Sequence, residues 1–68
     1  MKKHYPYVES FKLCEDGSDD MYEAIIAIPY ISMTKSVHYH GQCMRIYGYQ
    51  KELAERCKIV IDAFMIET

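Results

Sequence analysis

The chain has 68 residues, a length that accommodates one small domain, and we expect that domain to span residues 1–68. Half of the residues are hydrophobic, 26% are charged and the net charge is −2. This balance is typical of globular proteins, and it argues against both a strongly basic nucleic-acid clamp and an acidic DNA mimic. A chain this short also has little room for a deep catalytic cleft.

The hydrophobic segments are too short to suggest membrane insertion. The longest, Ala24 to Ile31, is interrupted by Pro29 and is far below the roughly 18 apolar residues that span a bilayer. The first residues lack the apolar stretch of a signal peptide. The three cysteines (Cys14, Cys43, Cys57) cannot all pair within one chain. Together these features predict a cytoplasmic protein with reduced thiols and no membrane segment.

The first half of the chain is typical of a β-hairpin. From Tyr5 to Leu13 large side chains alternate with others, the period of a half-buried strand that turns Tyr5, Tyr7, Phe11 and Leu13 to one face. Asp16-Gly17 then indicates a tight turn. The segment Met21–Ile28 fits either a strand, because it is rich in isoleucine, or a short helix that starts at a capping box and ends at Pro29. The strand is favoured because the turn requires a partner strand.

The second half predicts a further strand and a helix. A turn is expected around Thr34-Lys35-Ser36, followed by a third strand from Val37 to Tyr47. An amphipathic helix is expected from Gln50 to Met65. The fold class is therefore α+β, a three-stranded antiparallel sheet with the C-terminal helix packed on one face, in the order β-β-β-α. The apolar stripe of the helix consists of Leu53, Cys57, Val60, Ile61 and Phe64.

A second apolar row lies on the last part of the helical pattern. Ile59, Ala63 and Ile66 are roughly 100° or more from the first stripe, so the sheet cannot cover both. Single exposed apolar residues are common on protein surfaces, but such a row also suits contact with a second copy. Ile59 and Ile66 are accordingly the candidate dimer contacts.

The segment His38-Tyr39-His40-Gly41-Gln42-Cys43 is the one cluster with metal-ligand chemistry. Two histidines two residues apart on a strand share a face and could both reach a zinc ion. Cys43 lies on the opposite face of a regular strand, and the chain has no Cys-x-x-Cys pair. The histidines are therefore predicted to be solvated or hydrogen-bonded side chains, with no metal and no cofactor.

Catalytic motifs are also absent from the sequence. It contains no nucleophile elbow, P-loop or dinucleotide fingerprint. Cys57 falls within the buried stripe of the helix, and Cys14 precedes acidic residues that raise the pKa of a thiol. We therefore predict a protein that is not an enzyme.

Charge and aromatic residues are distributed unevenly. Six acidic residues lie between Glu9 and Glu23, whereas residues 24–51 contain no acid and combine basic side chains with tyrosines. Tyrosine and arginine are enriched at protein interfaces, and the same combination stacks on single-stranded nucleic acid. Candidate partner-binding residues are Tyr30, Lys35, His38, Tyr39, His40, Arg45, Tyr47 and Tyr49, with Asp16, Asp19 and Asp20 as a second, acidic patch.

Several short segments resemble one protein family. Tyr5-Pro6-Tyr7-Val8, Glu15-Asp16-Gly17, Tyr22-Glu23-Ala24 and Ile28-Pro29 resemble the opening hairpin of HicB-type antitoxins. Gly48, Glu52 and Ala54 are similar to the glycine and Glu-x-Ala that begin the helix of that family. The chain departs from the family in the longer segment between Pro29 and Gly48 and in lacking its DNA-binding module. The resemblance implies a hairpin and helix unit that binds and blocks another protein.

The predicted function follows from these features. We expect a small non-enzymatic inhibitor that occludes a surface of a larger protein or ribonucleoprotein complex, such as an antitoxin or a phage-encoded anti-defence (anti-CRISPR-like) protein. A homodimer through the C-terminal helix is a further expectation. The alternative is a module that binds single-stranded nucleic acid through a sheet face bearing tyrosine, arginine and lysine.

Overall fold

The computed structural model describes residues 1–14 and 20–68, and the turn predicted at Asp16-Gly17 lies outside these ranges. Seven strands and one helix follow one another within the described residues. Four of the strands have two residues each and form two small ladders beside the main sheet. The elements are β1 (Lys3–His4), β2 (Tyr7–Leu13), β3 (Met21–Ala27), β4 (Tyr30–Ile31), β5 (Val37–His38), β6 (Cys43–Tyr49), α1 (Gln50–Ala63) and β7 (Ile66–Glu67).

The main sheet is antiparallel and has the strand order β2-β3-β6. The central strand β3 confirms the extended interpretation of this segment and excludes the short helix. Its β-branched residues Ile25 and Ile26 occupy opposite faces of a strand that is hydrogen-bonded on both sides, the position that such residues favour. With α1 packed on the sheet, the predicted α+β fold is confirmed.

The helix packs over β3 and β6. Its buried residues Leu53 and Cys57 meet the β3 residues Ala24 and Ile26, and Ile28 closes this small core. The helix follows β6 without a loop, so the chain reverses directly at Tyr49. Gly48 lies under the first turn of the helix, where a Cβ atom would be 3.5 Å from a guanidinium nitrogen of Arg56 and 3.7 Å from the Cβ of Leu53, both ordinary van der Waals distances.

The C-terminal residues differ from the helical prediction. The helix ends at Ala63, where the Phe64 N–H donates to the Val60 carbonyl oxygen, rather than at Met65. Ile66 instead lies in β7, opposite His4 of β1. Backbone hydrogen bonds of 2.9 Å join Lys2 and Thr68 in both directions, so pairing with the N-terminal strand replaces the last helical turn.

The predicted third strand from Val37 to Tyr47 is wrong as a single element. The chain forms two strands, because β5 pairs with β4 while β6 pairs with β3. Gly41, with φ of +83°, lies in the turn between them, a backbone conformation that glycine adopts at low cost. The predicted turn around Thr34-Lys35-Ser36 is confirmed, since it closes the β4–β5 hairpin with Lys35 at φ of +64°.

The sheet has two different faces. The helix face carries the side chains that contact α1, and we name the opposite surface the open face.

Within residues 1–14 and 20–68, no helix has the length and apolar character needed to cross a bilayer.

Candidate partner-binding face

The open face is built from alternate residues of the three long strands. Cross-strand register places Glu23 of β3 beside both Lys12 of β2 and Tyr47 of β6. Arg45 and Tyr49 lie two residues on either side of Tyr47 and therefore share its face. Three of the predicted partner-binding residues, Arg45, Tyr47 and Tyr49, are thus brought together on one strand.

A small charged network occupies the middle of the open face. The Glu23 carboxylate lies 3.6 Å from Nε of Arg45 and 3.9 Å from Nζ of Lys12. The Glu23 side chain is only 14% exposed, whereas those of Lys12 and Arg45 are 69% and 60% exposed. Exposed pairs of this kind contribute little to stability, but they orient the side chains. The single negative charge of Glu23 therefore neutralises only one of the two positive charges of Lys12 and Arg45.

Tyrosine rings flank this network. Tyr47 and Tyr49 are each about half exposed. At the other end of the sheet the Tyr7 ring lies 5.1 Å from that of Tyr39, and the Tyr39 hydroxyl donates a 2.9 Å hydrogen bond to the Tyr5 carbonyl oxygen. Tyr39 is consequently anchored to the N-terminal segment, while Tyr47 and Tyr49 present free phenolic edges to solvent.

A β-bulge explains why the sequence prediction omitted part of this face. Tyr7, Lys12 and Glu23 belong to the open face but are not among the residues predicted to bind a partner. Tyr7 and Lys12 are five positions apart, so strict alternation assigns them to opposite faces. The register shifts between Val8 and Ser10 and returns them to the same face. The same bulge corrects the predicted grouping of Tyr7 with Phe11 and Leu13, which pair on the helix face.

The remaining basic and aromatic candidates lie around the β4–β5 hairpin. The Tyr30 hydroxyl donates a 2.8 Å hydrogen bond to the His40 carbonyl oxygen, and its ring lies 5.7 Å from that of His38. Lys35 is exposed at the turn of the hairpin. Tyr30, His38 and His40 therefore organise this hairpin, and the predicted set of contact residues is divided between it and the open face.

The acidic patch and the dimer contacts are only partly brought together. Asp16 and Asp19 lie outside the described residues, and Asp20 is exposed with φ of +69°. Ile59 is 66% exposed on the helix, whereas Ile66 is half-buried in β7. The two isoleucines therefore do not form one row along the helix.

No metal centre is formed by the residues that the structure describes. Groups of three or more histidine, cysteine or acidic side chains positioned to hold a metal ion do not occur in residues 1–14 and 20–68. Cys43 follows the turn at Gly41 and points its thiol at Glu9 rather than at His38 or His40.

The Cys43 thiol donates a hydrogen bond of 3.4 Å to Oε2 of Glu9. This hydrogen bond, followed by desolvation and the negative charge of the carboxylate, raises the pKa of Cys43. Because only the thiolate is nucleophilic, an exposed cysteine is here made less reactive at neutral pH. Cys57 is buried on the side of the helix that packs on the sheet, and desolvation raises its pKa as well.

Glu9→Ala is expected to increase the alkylation rate of Cys43 several-fold at mildly alkaline pH, because the pKa falls and more thiolate is present. Iodoacetamide labelling followed by peptide mass spectrometry measures each cysteine separately. Buried Cys57 is the internal control, and its rate should not change. Equal labelling of Cys43 in both proteins would show that Glu9 has no influence on the thiol.

Comparisons with known proteins do not indicate a function, so the function is inferred from the fold and the open face. No family model matches the chain, and no curated protein or solved structure is significantly similar to it. The resemblance to HicB-type antitoxins therefore stays a prediction.

Proposed function

We propose that this chain is a small non-enzymatic binding protein that docks its open face on a larger protein and acts by covering the surface it occupies. The observation that carries this proposal is the placement of Arg45, Tyr47 and Tyr49 on one strand, exposed to solvent and opposite the helix. Tyrosine and arginine are the residues that most often dominate binding energy at protein interfaces. A hydrogen-bonded sheet holds them in place, so little order has to be gained on binding.

The shape of the molecule supports binding by occlusion. Its principal extents are 44 × 20 × 11 Å, so the chain is a plate rather than a sphere. The broad side of the molecule, which includes the β4–β5 hairpin beside the open face, is comparable in area to one side of a standard protein interface, which buries about 800 Å² per partner. A plate that binds through its broad side covers an area large enough to block a functional surface of a larger protein or ribonucleoprotein complex.

Charge favours a protein partner over single-stranded nucleic acid. Binding to nucleic acid depends on several phosphate contacts from lysine and arginine. On the open face Glu23 lies within 4 Å of both Lys12 and Arg45, so the positive potential is reduced. A mixed field of both signs with aromatic rings is better suited to a protein surface, where charges select the partner and its orientation.

Site-specific photo-crosslinking tests the proposal in the host cell. A benzophenone amino acid at Tyr47 is expected to yield a discrete crosslinked protein that mass spectrometry identifies. The same amino acid at Ile59, which is exposed on the helix, is the matched control and should not crosslink that protein. Crosslinks to nucleic acid from position 47, or equal protein crosslinks from both positions, would contradict the proposal.

A further inference from the structure

The guanidinium group of Arg45 lies near Glu23 without forming a hydrogen bond to it. The closest atoms are Nε of Arg45 and Oε2 of Glu23, and their separation of 3.6 Å exceeds hydrogen-bond distance. Within residues 1–14 and 20–68, no N–H group of this side chain donates a hydrogen bond. The terminal nitrogens of a guanidinium group form a planar fork that binds a carboxylate through two parallel hydrogen bonds. This fork is therefore available to a group outside the chain.

The side chains around Arg45 offer hydrogen-bond donors more than acceptors. Lys12, whose Nζ lies 3.9 Å from the Glu23 carboxylate, carries only donors. The hydroxyl groups of Tyr47 and Tyr49 have no hydrogen-bond partner in the described ranges, and each can donate. The carboxylate of this group belongs to Glu23, whose side chain is only 14% exposed. A surface that complements these side chains must therefore supply acceptors.

The net charge of these side chains suits a single carboxylate. Lys12 and Arg45 carry two positive charges, and Glu23 carries one negative charge. The Glu9 carboxylate accepts a hydrogen bond from Cys43, two residues before Arg45 on β6, and thus lies toward the other end of the face. One excess positive charge matches one carboxylate, whereas nucleic acid requires several cations in series along its phosphates.

We propose that the protein partner places the carboxylate of one aspartate or glutamate on the Arg45 fork, with the rings of Tyr47 and Tyr49 beside the ion pair. Because it requires a protein on the open face, this contact rests on the proposed function, and it names the chemistry of the partner surface. Two parallel hydrogen bonds fix both the position and the orientation of the carboxylate. Tyrosine rings that exclude water from the pair strengthen it.

Arg45 is therefore the residue that determines which protein surface the open face accepts. A surface that presents lysine or arginine at this point would face a like charge, and an apolar one would leave the guanidinium group without its hydrogen bonds. Glu23 is a positioning residue, since its attraction for Nε orients the guanidinium group before the partner arrives.

Calorimetric titration with the protein that crosslinks from position 47 separates the fork from the charge. Arg45→Lys keeps the positive charge and loses the fork, so it should weaken binding about tenfold. Arg45→Gln should weaken binding at least as much. Lys58→Gln removes the same charge from the exposed surface of the helix, and as the matched control it should stay within about twofold of the native affinity.

The outcomes distinguish this contact from the proposed function. Native affinity in Arg45→Lys, together with weakened binding of Tyr47→Thr, would overturn the carboxylate contact and leave docking of the open face intact. Equal weakening by Arg45→Gln and Lys58→Gln would also overturn it, because net charge alone would then explain the loss. The absence of any protein crosslink from position 47 would overturn both proposals.

Charge exchange identifies the carboxylate and controls for folding. The peptide that carries the crosslink from position 47 limits the search to its own aspartates and glutamates. Arg45→Glu should weaken binding at least about 100-fold, because two carboxylates then face each other. Replacing the contacting aspartate or glutamate of the partner with arginine should restore binding to within about tenfold of the native affinity. A crosslinked segment without a carboxylate, or one in which no such replacement restores binding, would overturn the inference.

Discussion

Replacing Leu53 with alanine is expected to lower the free energy of unfolding by about 3 kcal/mol. Leu53 is fully buried between the first turns of the helix and the central strand, where it packs with Ala24 and Ile26. A domain of this size has a total stability of only about 3–10 kcal/mol, so the loss is a large part of the whole. Urea unfolding followed by far-ultraviolet circular dichroism measures the change.

Ile59→Ala is the control on the same helix. Its side chain is exposed, and alanine has a higher helix propensity than isoleucine, so the stability should stay within about 0.5 kcal/mol of the native value. A similar loss of unfolding free energy in both variants would mean that the helix packs on the sheet through a different face. An unchanged midpoint for Leu53→Ala would show that this side chain is not part of the core.

Tyr47→Thr is expected to weaken binding to the crosslinked protein partner by about 30-fold, which corresponds to about 2 kcal/mol. The Tyr47 ring is half exposed at the centre of the proposed docking surface, beside Arg45 and Tyr49. Threonine keeps the β-propensity of this strand position and replaces the aromatic ring with a small β-branched side chain. Calorimetric titration with the partner measures the affinity.

A variant on the opposite surface separates loss of contact from loss of folding. Ile59→Thr removes an exposed apolar side chain from the helix and should leave the affinity within about twofold of the native value. Equal weakening by both variants would indicate a general effect on the fold. Unchanged partner binding by Tyr47→Thr, together with lost binding of a single-stranded oligonucleotide, would favour the nucleic-acid alternative instead.

The sequence predicts the secondary-structure elements better than it predicts which side chains share a face of the sheet. The run of isoleucines in β3 and the spacing of Leu53 and Cys57 are local patterns, and they correctly predict the strand and the start of the helix at Gln50, although the helix ends at Ala63. The bulge in β2 has no comparable signal, because an extra residue in a strand is defined by its partner. One extra residue reverses the alternation of side chains across it. Strict alternation therefore grouped Tyr7 with Phe11 and Leu13, although Tyr7 lies on the opposite face of the sheet.

The long segment between β3 and the helix shows the same limit. The glycine at position 41 indicates a turn only when β4 is available to pair with the residues that precede it. Likewise, the apolar pattern that continues to Ile66 gives way to pairing with the N-terminal strand. Both corrections arise from contacts between residues distant in sequence, which periodicity does not report.

Short-range patterns of apolar residues predicted the α+β class, the order of the principal strands and helix, and the buried helix positions Leu53 and Cys57, whereas Phe64 of the predicted apolar stripe is 43% exposed. The placement of Tyr47 and Tyr49 with Arg45 on the open face, and of Tyr30 in the β4–β5 hairpin, depends on strand pairing that the sequence pattern does not report. Within residues 1–14 and 20–68, the tertiary structure also leaves β2 as an edge strand of the main sheet. The physical reason is that face and exposure are set by register and by the width of the helix relative to the sheet, and both are properties of the packed molecule.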